Sequence, residues 1–289
     1  MPTDDSPSSA GATNVILNQR SLDPPYLRQS VGIQGDDNPG KAIGFDSNGI
    51  LTTIAVGSAG ATTSADSITA LKALATATLA TGSQASVAGY YAPGDGGGGV
   101  FCYDSASAVA DNGGTVIAPT TGSGRWLRIV DESEGGHIRW FGAKGDDSTS
   151  NTTVIQAAIN SLAVTGGTIY FPRGTYRTGE LTLPSSNITF KGDGSGLSVL
   201  KWTTLGSNKA GLAITGSRFR AEDMTFQGPG VATSFLLAER LITVLGTDTS
   251  TRLSGLHFRN CRFTGAGSDG LYCQFVNNIQ VIDCTVDEI

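Results

Sequence analysis

Three segments of this chain can be laid over one another without a gap. They are Phe219-Arg-Ala-Glu-Asp223-Met224-Thr-Phe226, Leu256-His-Phe-Arg-Asn260-Cys261-Arg-Phe263 and Ile279-Gln-Val-Ile-Asp283-Cys284-Thr-Val286. Each carries Asp or Asn, then Met or Cys, one further residue, and Phe or Val. The offsets are 37 residues (224 to 261) and 23 residues (261 to 284), so the longer interval reads as the 23-residue period with a 14-residue insertion. A period in the low twenties with β-type alternation means a solenoid, because one such turn cannot bury its apolar face without a stacked neighbour.

A second ladder accompanies the first. Gly211-Leu212-Ala-Ile-Thr resembles Gly270-Leu271-Tyr-Cys-Gln, and Leu241-Ile-Thr-Val-Leu245 fills the slot between them. Two short strands per repeat are therefore expected. The LxxLxL pattern of a leucine-rich repeat is absent, and the fold that remains is a right-handed parallel β-helix with turns ~4.8 Å apart. Met224, Cys261 and Cys284 are expected to stack inside it as apolar fillers. Asp223, Asn260 and Asp283 are expected at one equivalent corner, where the bend favours side chains that tolerate positive φ.

Upstream of the repeats, Asn151 or Thr152 can cap a helix with Val154, Ile155, Ala158, Ile159 and Leu162 on one face, ending at Gly166-Gly167. Its position suits a lid over the first open turn, which is expected to comprise Thr168–Phe171, Gly179–Leu183 and Ile188–Phe190. Such a lid covers strand edges that would otherwise recruit other chains. The chain stops at Ile289 directly after a well-formed repeat, and so reads as the N-terminal part of a longer solenoid.

Residues 57–134 follow another pattern. Asp66 is the expected cap of a helix carrying Ile68, Leu71, Leu74 and Ala75, with Gly82 as the stop. Short β-like runs come next, Ala85–Tyr91, Val100–Tyr103, Thr115–Ala118 and Trp126–Val130, giving a small α+β module. Gly94-Asp95-Gly96-Gly97-Gly98-Gly99 invites a phosphate-loop reading, but the Lys-Ser/Thr and the following helix are missing, so a wide hairpin loop is expected. The polar stretch Asp131-Glu132-Ser133-Glu134-Gly135-Gly136 marks a boundary, and residues 135–289 form the solenoid.

Residues 1–56 form a separate opening segment, with turns at Asp23-Pro24-Pro25 and Gly35 to Gly40 and short apolar pieces at Val15-Ile16-Leu17 and Ile50-Leu51. Such strands bury little alone, so the segment is expected to order against a partner surface or copies of itself. The start lacks an apolar leader core, and no run approaches the ~18 apolar residues of a spanning helix; no membrane insertion is expected. Nineteen basic against twenty-five acidic residues give a net charge of −6, the wrong sign for phosphate neutralisation, so nucleic acid is not an expected partner. Four cysteines form no CxxC pair, and only His137 and His257 could assist them, so neither a metal site nor a cofactor is expected.

Phe141-Gly-Ala-Lys-Gly-Asp146, Ile155-Gln-Ala-Ala-Ile159, Gly166-Gly-Thr-Ile-Tyr-Phe-Pro172 and Gly174-Thr-Tyr176 together resemble the opening of the pectate-lyase-like β-helix superfamily. The run between the first two pieces, Asp147-Ser-Thr-Ser-Asn151-Thr152, departs from that superfamily's usual Gly-x-x-Asp-Asp-Thr. The preceding module, with Ala88 to Phe101, Asp111 to Ile117 and Gly124 to Arg128, resembles the head-proximal region of bacteriophage tailspikes. Gly44-Phe45-Asp46-Ser-Asn-Gly49 is similar to their anchoring stretches. The resemblance implies a homotrimer in the phage tail, made in the host cytoplasm and held to tail, baseplate or adaptor proteins through residues 1–56. Its β-helix would bind and degrade host capsule or O-antigen as a glycoside hydrolase or lyase. The alternative is a non-enzymatic adhesive spike or branching platform; a free cellular lyase or epimerase does not account for the module before the solenoid.

Glycan-cleaving β-helices of this kind generally use paired carboxylates. The possible groups are Glu222, Asp223, Glu239, Asp248, Asp269, Asp283, Asp287 and Glu288. No pair stands out, because the neighbours Glu222-Asp223 and Asp287-Glu288 point to opposite faces of a strand. Neither Asn-Thr-Asp nor Gly-His-Gly occurs, so the catalytic residues are unknown and expected beyond Ile289, and this segment is expected not to be catalytic alone. The insertions Gly228 to Glu239 and Gly246 to Arg252 are candidates for binding or subunit contacts, with Phe235-Leu236-Leu237 suited to a trimer interface. His257 is expected to face outward, and Trp126, Trp140 and Trp202 to pack rather than bind sugar.

Overall fold

The computed structural model describes residues 41–45, 51–55, 63–130, 136–205, 209–230, 240–250 and 252–287. The chain separates into two units, Met1–Ser58 and Ala59–Ile289. In the first, Lys41–Phe45 pairs antiparallel with Leu51–Ala55, Lys41 opposite Ala55 and Phe45 opposite Leu51. The turns and apolar pieces expected before residue 41, and the boundary at 131–135, lie outside the described residues.

The second unit begins with a mixed five-stranded sheet in the order Thr63–Ala65, Gln84–Val87, Gly99–Asp104, Arg125–Arg128, Val116–Ile117. Gln84–Val87 alternates exposed and buried positions, placing Ala85 and Val87 in a core with Ile68, Leu71, Phe101, Tyr103, Ile117 and Trp126. The helix α1, Ile68–Ala73, covers this core and is capped by Ser67, whose hydroxyl accepts from the Ala70 amide at 3.2 Å. The expected cap, Asp66, lies one residue too far out to reach that amide. The helix ends with Leu74 in extended geometry, so Gly82 is not its stop; Gly82 sits at φ 95° and donates its amide to the Tyr103 carbonyl. The expected strand Ala85–Tyr91 breaks after Val87, because the amides of Tyr90, Tyr91 and Ala92 turn onto the Asp95 carboxylate.

From residue 136 onward the chain is a parallel β-helix with three sheets. Sheet I stacks Gly136–His137, Gly167–Phe171, Ile188–Gly192, Arg220–Glu222, Leu253–Arg259 and Val276–Ile282. Sheet II stacks Asp146–Ser150, Gly174–Thr178, Ser198–Trp202, Thr225–Gln227, Arg262–Thr264 and Thr285–Asp287. Sheet III stacks Leu181–Leu183, Ala210–Ile214, Arg240–Leu245 and Asp269–Gln274. The pairing keeps the register of the repeat: Ala221 lies beside Phe258 and Phe258 beside Val281, and Phe226 beside Phe263 and Phe263 beside Val286. The extra length of the 37-residue turn therefore falls between Gln227 and Leu253, around the retained strand Arg240–Leu245; residues 231–239 lie outside the described residues.

Three strands per turn replace the expected two. The single run of the sequence ladder is split by a corner at Asp223, Asn260 and Asp283, whose φ values are 58°, 49° and 51°. The corner confirms the expected Asx ladder, and Asn260 donates from Nδ2 to Asp223 Oδ1 at 2.7 Å. Met224 and Cys261 are buried beneath it, with Cys284 packed against the same core, and burial pushes the Cys261 thiol up to about 12. Inside sheet II, the Phe226 and Phe263 rings stack at 5.4 Å between centroids.

The first turn also differs from expectation. Ile188–Gly192 starts the second full turn, since Ile169 pairs with Phe190, while Gly174–Thr178 supplies the strand that the sequence pattern did not mark. A still earlier rung, Gly136–His137 and Asp146–Ser150, precedes them. Where its third strand would be, the helix α2, Thr152–Ser161, turns Ile155, Ala158 and Ile159 inward. Thr152 Oγ1 accepts from the Gly179 amide at 2.6 Å. The Gln156 amide meets the edge of sheet III as a strand would, donating to the Thr182 carbonyl at 2.9 Å and accepting from its N–H at 3.0 Å. Asn151 holds the cap position but makes no side-chain cap bond, because its buried amide ties together Lys144, Thr149 and Arg177 main-chain groups. The helix ends near Leu162, ahead of Gly166-Gly167, and Gly166 takes φ 69° in the turn to the next strand.

Candidate functional site

The candidate carboxylates brace the solenoid. On sheet I, Glu222 accepts from the Arg259 guanidinium on the next rung at 3.1 Å. Sheet II carries the equivalent contact between Arg262 and Asp287 at 2.7 Å, and this hydrogen bond lowers the Asp287 pKa. On sheet III, Arg240 meets Asp269 at 3.0 Å while its guanidinium lies 3.7 Å over the Tyr272 ring. Asp223 and Asp283 occupy corners, and Asp248 accepts from the amide and hydroxyl of Ser250 in its own turn. Glu239 and Glu288 lie outside the described residues, as do Phe235, Leu236 and Leu237. Cross-rung pairing thus accounts for Glu222, Asp269 and Asp287 as structural partners, each of a different arginine.

Trp126 and Trp202 are buried and Trp140 is packed against the solenoid core, as expected. His257 faces outward as expected, alternating with the buried Leu256 and Phe258, but it is half-buried, and its Nε2 is enclosed without a hydrogen-bond partner among the described residues. In register it lies between Arg220 on one neighbouring rung and Gln280 on the other.

Two concave regions stand out among the described residues of the second unit. The larger, a cleft of about 430 Å³, sits where the five-stranded sheet meets the solenoid and is lined by Tyr90, Tyr91, Asp95, Arg139, Gly142 and Lys144. Asp95 explains why the glycine-rich loop is no phosphate cradle. Its carboxylate already collects the amides of Tyr90, Tyr91, Ala92 and Gly97, at 2.7 to 3.2 Å. Burial works against its ionisation, but these four bonds prevail and hold its pKa below the usual carboxylate value. Tyr91 donates to the Gly142 carbonyl at 2.9 Å, and the Lys144 ammonium sits 4.3 Å over the Tyr91 ring. Gly142 has φ 90°, and a Cβ there would stand 2.5 Å from Tyr90, so only glycine permits this close approach.

Beside the cleft, Arg128 is buried and donates to the carbonyls of Gly97, Gly98 and Gly114. Its guanidinium lies 4.5 Å from the Phe101 ring and 4.9 Å from the Trp140 ring, one on each side of the junction. Burial lowers its pKa to about 10, which leaves it charged at neutral pH. Next to it, burial and the nearby Arg139 and Arg128 charges lower the His137 imidazole to about 4, and its Nδ1 accepts from the Arg139 amide at 3.1 Å. Tyr170 packs edge-on to His137 and donates to Asp193; that bond raises the phenol to about 12.

The smaller concavity, about 260 Å³, lies on the flank of sheet II against α2. Ser148, Ser150, Thr152, Arg177, Thr203 and Thr204 line it. Its members come from three chain segments that become neighbours only through rung stacking, so nothing in the linear spacing marks it.

Residues 64–131 match the family of phage tail protein small four-stranded β-sheet domains, and residues 137–268 match the rhamnogalacturonase A/epimerase, pectate lyase-like family. The capsule K30/K69-specific depolymerase of Klebsiella phage K64-1 is 32% identical over 143 residues, which cover 46% of this chain and 18% of that protein. Mannuronan C5-epimerase AlgE3 of Azotobacter vinelandii is 36% identical over 107 residues, covering 32% of this chain and 6% of the epimerase. The tailspike gp49 of Acinetobacter baumannii bacteriophage Fri1, a capsular polysaccharide depolymerase, has the same fold with a TM-score of 0.57 and 19% identity, over 77% of this chain and 46% of that one. The chain thus spans less than a fifth of the length of each of these two curated relatives. With a phage-tail β-sheet domain leading directly into a pectate lyase-like parallel β-helix, it has the domain order of a bacteriophage tailspike.

Proposed function

We propose that this chain is the virion-proximal part of a tailspike that attaches to the phage tail and binds and degrades host surface polysaccharide, capsule or O-antigen, through its β-helix. The observation that carries this reading is the phage-tail sheet clamped through Arg128 onto Trp140 at the first rung of the solenoid. A sheet welded to a stacked rod in this way passes force and orientation from tail to glycan. The domain layout follows as residues 1–56 for anchoring, 57–134 as the head-proximal module and 135–289 as the opening of the β-helix. Residues 1–56 would dock on tail, baseplate or adaptor proteins, and three copies would assemble after synthesis in the host cytoplasm. The catalytic groups belong to turns beyond Ile289. Two facts support this: Glu222, Asp269 and Asp287 are committed to rung-to-rung bracing, and the chain covers a small share of the capsule depolymerase.

The same bracing favours a second reading, an adhesive spike that holds glycan without cutting it. Virion incorporation tests the attachment role common to both. A full-length spike lacking residues 1–56 should fold and sediment as a trimer yet be missing from purified particles. Normal incorporation of that deletion, or a stable monomer at micromolar concentration, would contradict the assignment.

A further inference from the structure

The groove on sheet II holds an arginine whose side chain has no partner among the described residues. Arg177 is fixed at its backbone: its strand pairs with Ser150 on one side and Lys201 on the other, and its carbonyl accepts from the Asn151 amide at 2.8 Å. Its side chain is half-buried, and among the described residues its guanidinium has no hydrogen bond or ion pair. Other solenoid arginines are served: Arg218 by Asn187, Arg240 by Asp269, Arg259 by Glu222 and Arg262 by Asp287. Arg220 stands exposed in water, where a lone charge costs little, and the exposed Arg173 has the Asp193 charge nearby.

The nearby carboxylates do not supply the missing charge. Asp147 is held by Lys201 at 2.9 Å, and Asp146 accepts from the Ser148 amide and from the amide and hydroxyl of Thr149. The groove lining contains no acidic residue, only hydroxyls and main chain around one cation. A partly desolvated guanidinium is a planar fork that matches a carboxylate with two parallel hydrogen bonds. The hydroxyls of Ser148, Ser150, Thr203 and Thr204 exchange donor and acceptor roles freely and so suit the hydroxyls of a sugar ring.

We propose that this groove is a glycan subsite for a uronic acid residue, with Arg177 binding the sugar carboxylate and the surrounding hydroxyls binding the ring. The proposal rests on the tailspike reading for the polymer's origin, and it narrows that polymer to an acidic polysaccharide. Bound here, a uronate would engage the solenoid at its capped first rungs, away from turns beyond Ile289, and would hold the chain against the spike rather than take part in cleavage.

The test is calorimetric titration of the 289-residue protein with a glucuronan tetrasaccharide, its carboxyl-reduced counterpart and inorganic phosphate. The acidic tetrasaccharide should bind and the reduced one should not, with affinity falling as salt rises. Arg177→Gln should weaken binding roughly tenfold to a hundredfold, the loss of one bidentate charged contact, and Arg177→Lys by less. Unchanged thermal melting of both variants, with Arg220→Gln as a binding control, excludes misfolding as the cause. Equal binding of the two tetrasaccharides, binding of phosphate alone, no binding at all, or full affinity in Arg177→Gln would each overturn the subsite. Cleavage of host capsule by the full-length spike is independent of these outcomes, so failure of the subsite and failure of the tailspike reading are separable.

Discussion

The guanidinium of Arg128 stands 4.9 Å from the ring of Trp140, and the two residues belong to different layers of the same unit: one ends the five-stranded sheet, the other opens the solenoid. Three carbonyls and two aromatic faces satisfy this charge without any carboxylate. Arg128→Ala should therefore strand the Gly97, Gly98 and Gly114 carbonyls and destabilise the junction by about 3 kcal/mol. Calorimetry should resolve the sheet and the solenoid as separate transitions in the variant and as one in the parent; a single unshifted transition would contradict the clamp.

At the solenoid corner, Asn260 combines φ 49° with a side-chain bond to Asp223 on the rung before. Asn260→Ala keeps neither the bond nor an easy left-handed conformation, and should cost about 1–2 kcal/mol. Asn260→Gly restores the backbone freedom and should cost less. Thermal unfolding of the two variants checks the order, and a glycine variant weaker than the alanine one would refute it.

Gln156 closes the edge of sheet III through both hydrogen bonds to Thr182. Gln156→Ala should lower stability by about 1 kcal/mol and, by exposing a strand edge, raise the rate of aggregation. Light scattering during a slow temperature ramp would register the second effect apart from the first.

The depressed pKa of His137 predicts acid sensitivity at the same junction. Its folded value near 4 lies below the ordinary value of about 6.5, so between these two pH values the unfolded chain binds a proton that the folded chain refuses. This contribution is fully present above about pH 6.5 and is lost as pH falls toward 4, amounting to about 1–2 kcal/mol after allowance for partial solvent access. Burial is the largest single cause of the shift; Arg139 and Arg128 add to it and Asp193 opposes it. His137→Asn should flatten the stability profile across that window, which denaturant titrations at several pH values would show.

Much of the solenoid was legible because stacked turns repeat their chemistry. The 37- and 23-residue offsets are the observed registers, and the Asp223, Asn260 and Asp283 corner and the inward face of α2 followed from the same spacing. The third strand per turn was not legible, because the corner residues interrupt no apolar alternation and so do not announce a change of sheet. Asp146–Ser150 escaped notice since its five residues are all polar, and Gly174–Thr178 since only Tyr176 gives it a large inward side chain. Arg128 shares the buried face of its strand with Trp126, a pattern that alternation alone could have marked, but its cross-layer contact to Trp140 depends on tertiary placement. Arg177 was hidden for a related reason: its lack of a partner among the described residues is a property of neighbouring rungs rather than of sequence neighbours.

The most direct test of the tailspike account is mass spectrometry of purified host capsule or O-antigen after incubation with the full-length spike, with the 289-residue chain in parallel. The account predicts chain shortening by the full-length protein alone, with product masses that separate hydrolysis, which adds water, from elimination, which leaves an unsaturated end. Cleavage by the 289-residue chain would contradict the placement of the active centre beyond Ile289, and intact polymer in both reactions would contradict the degradative role itself.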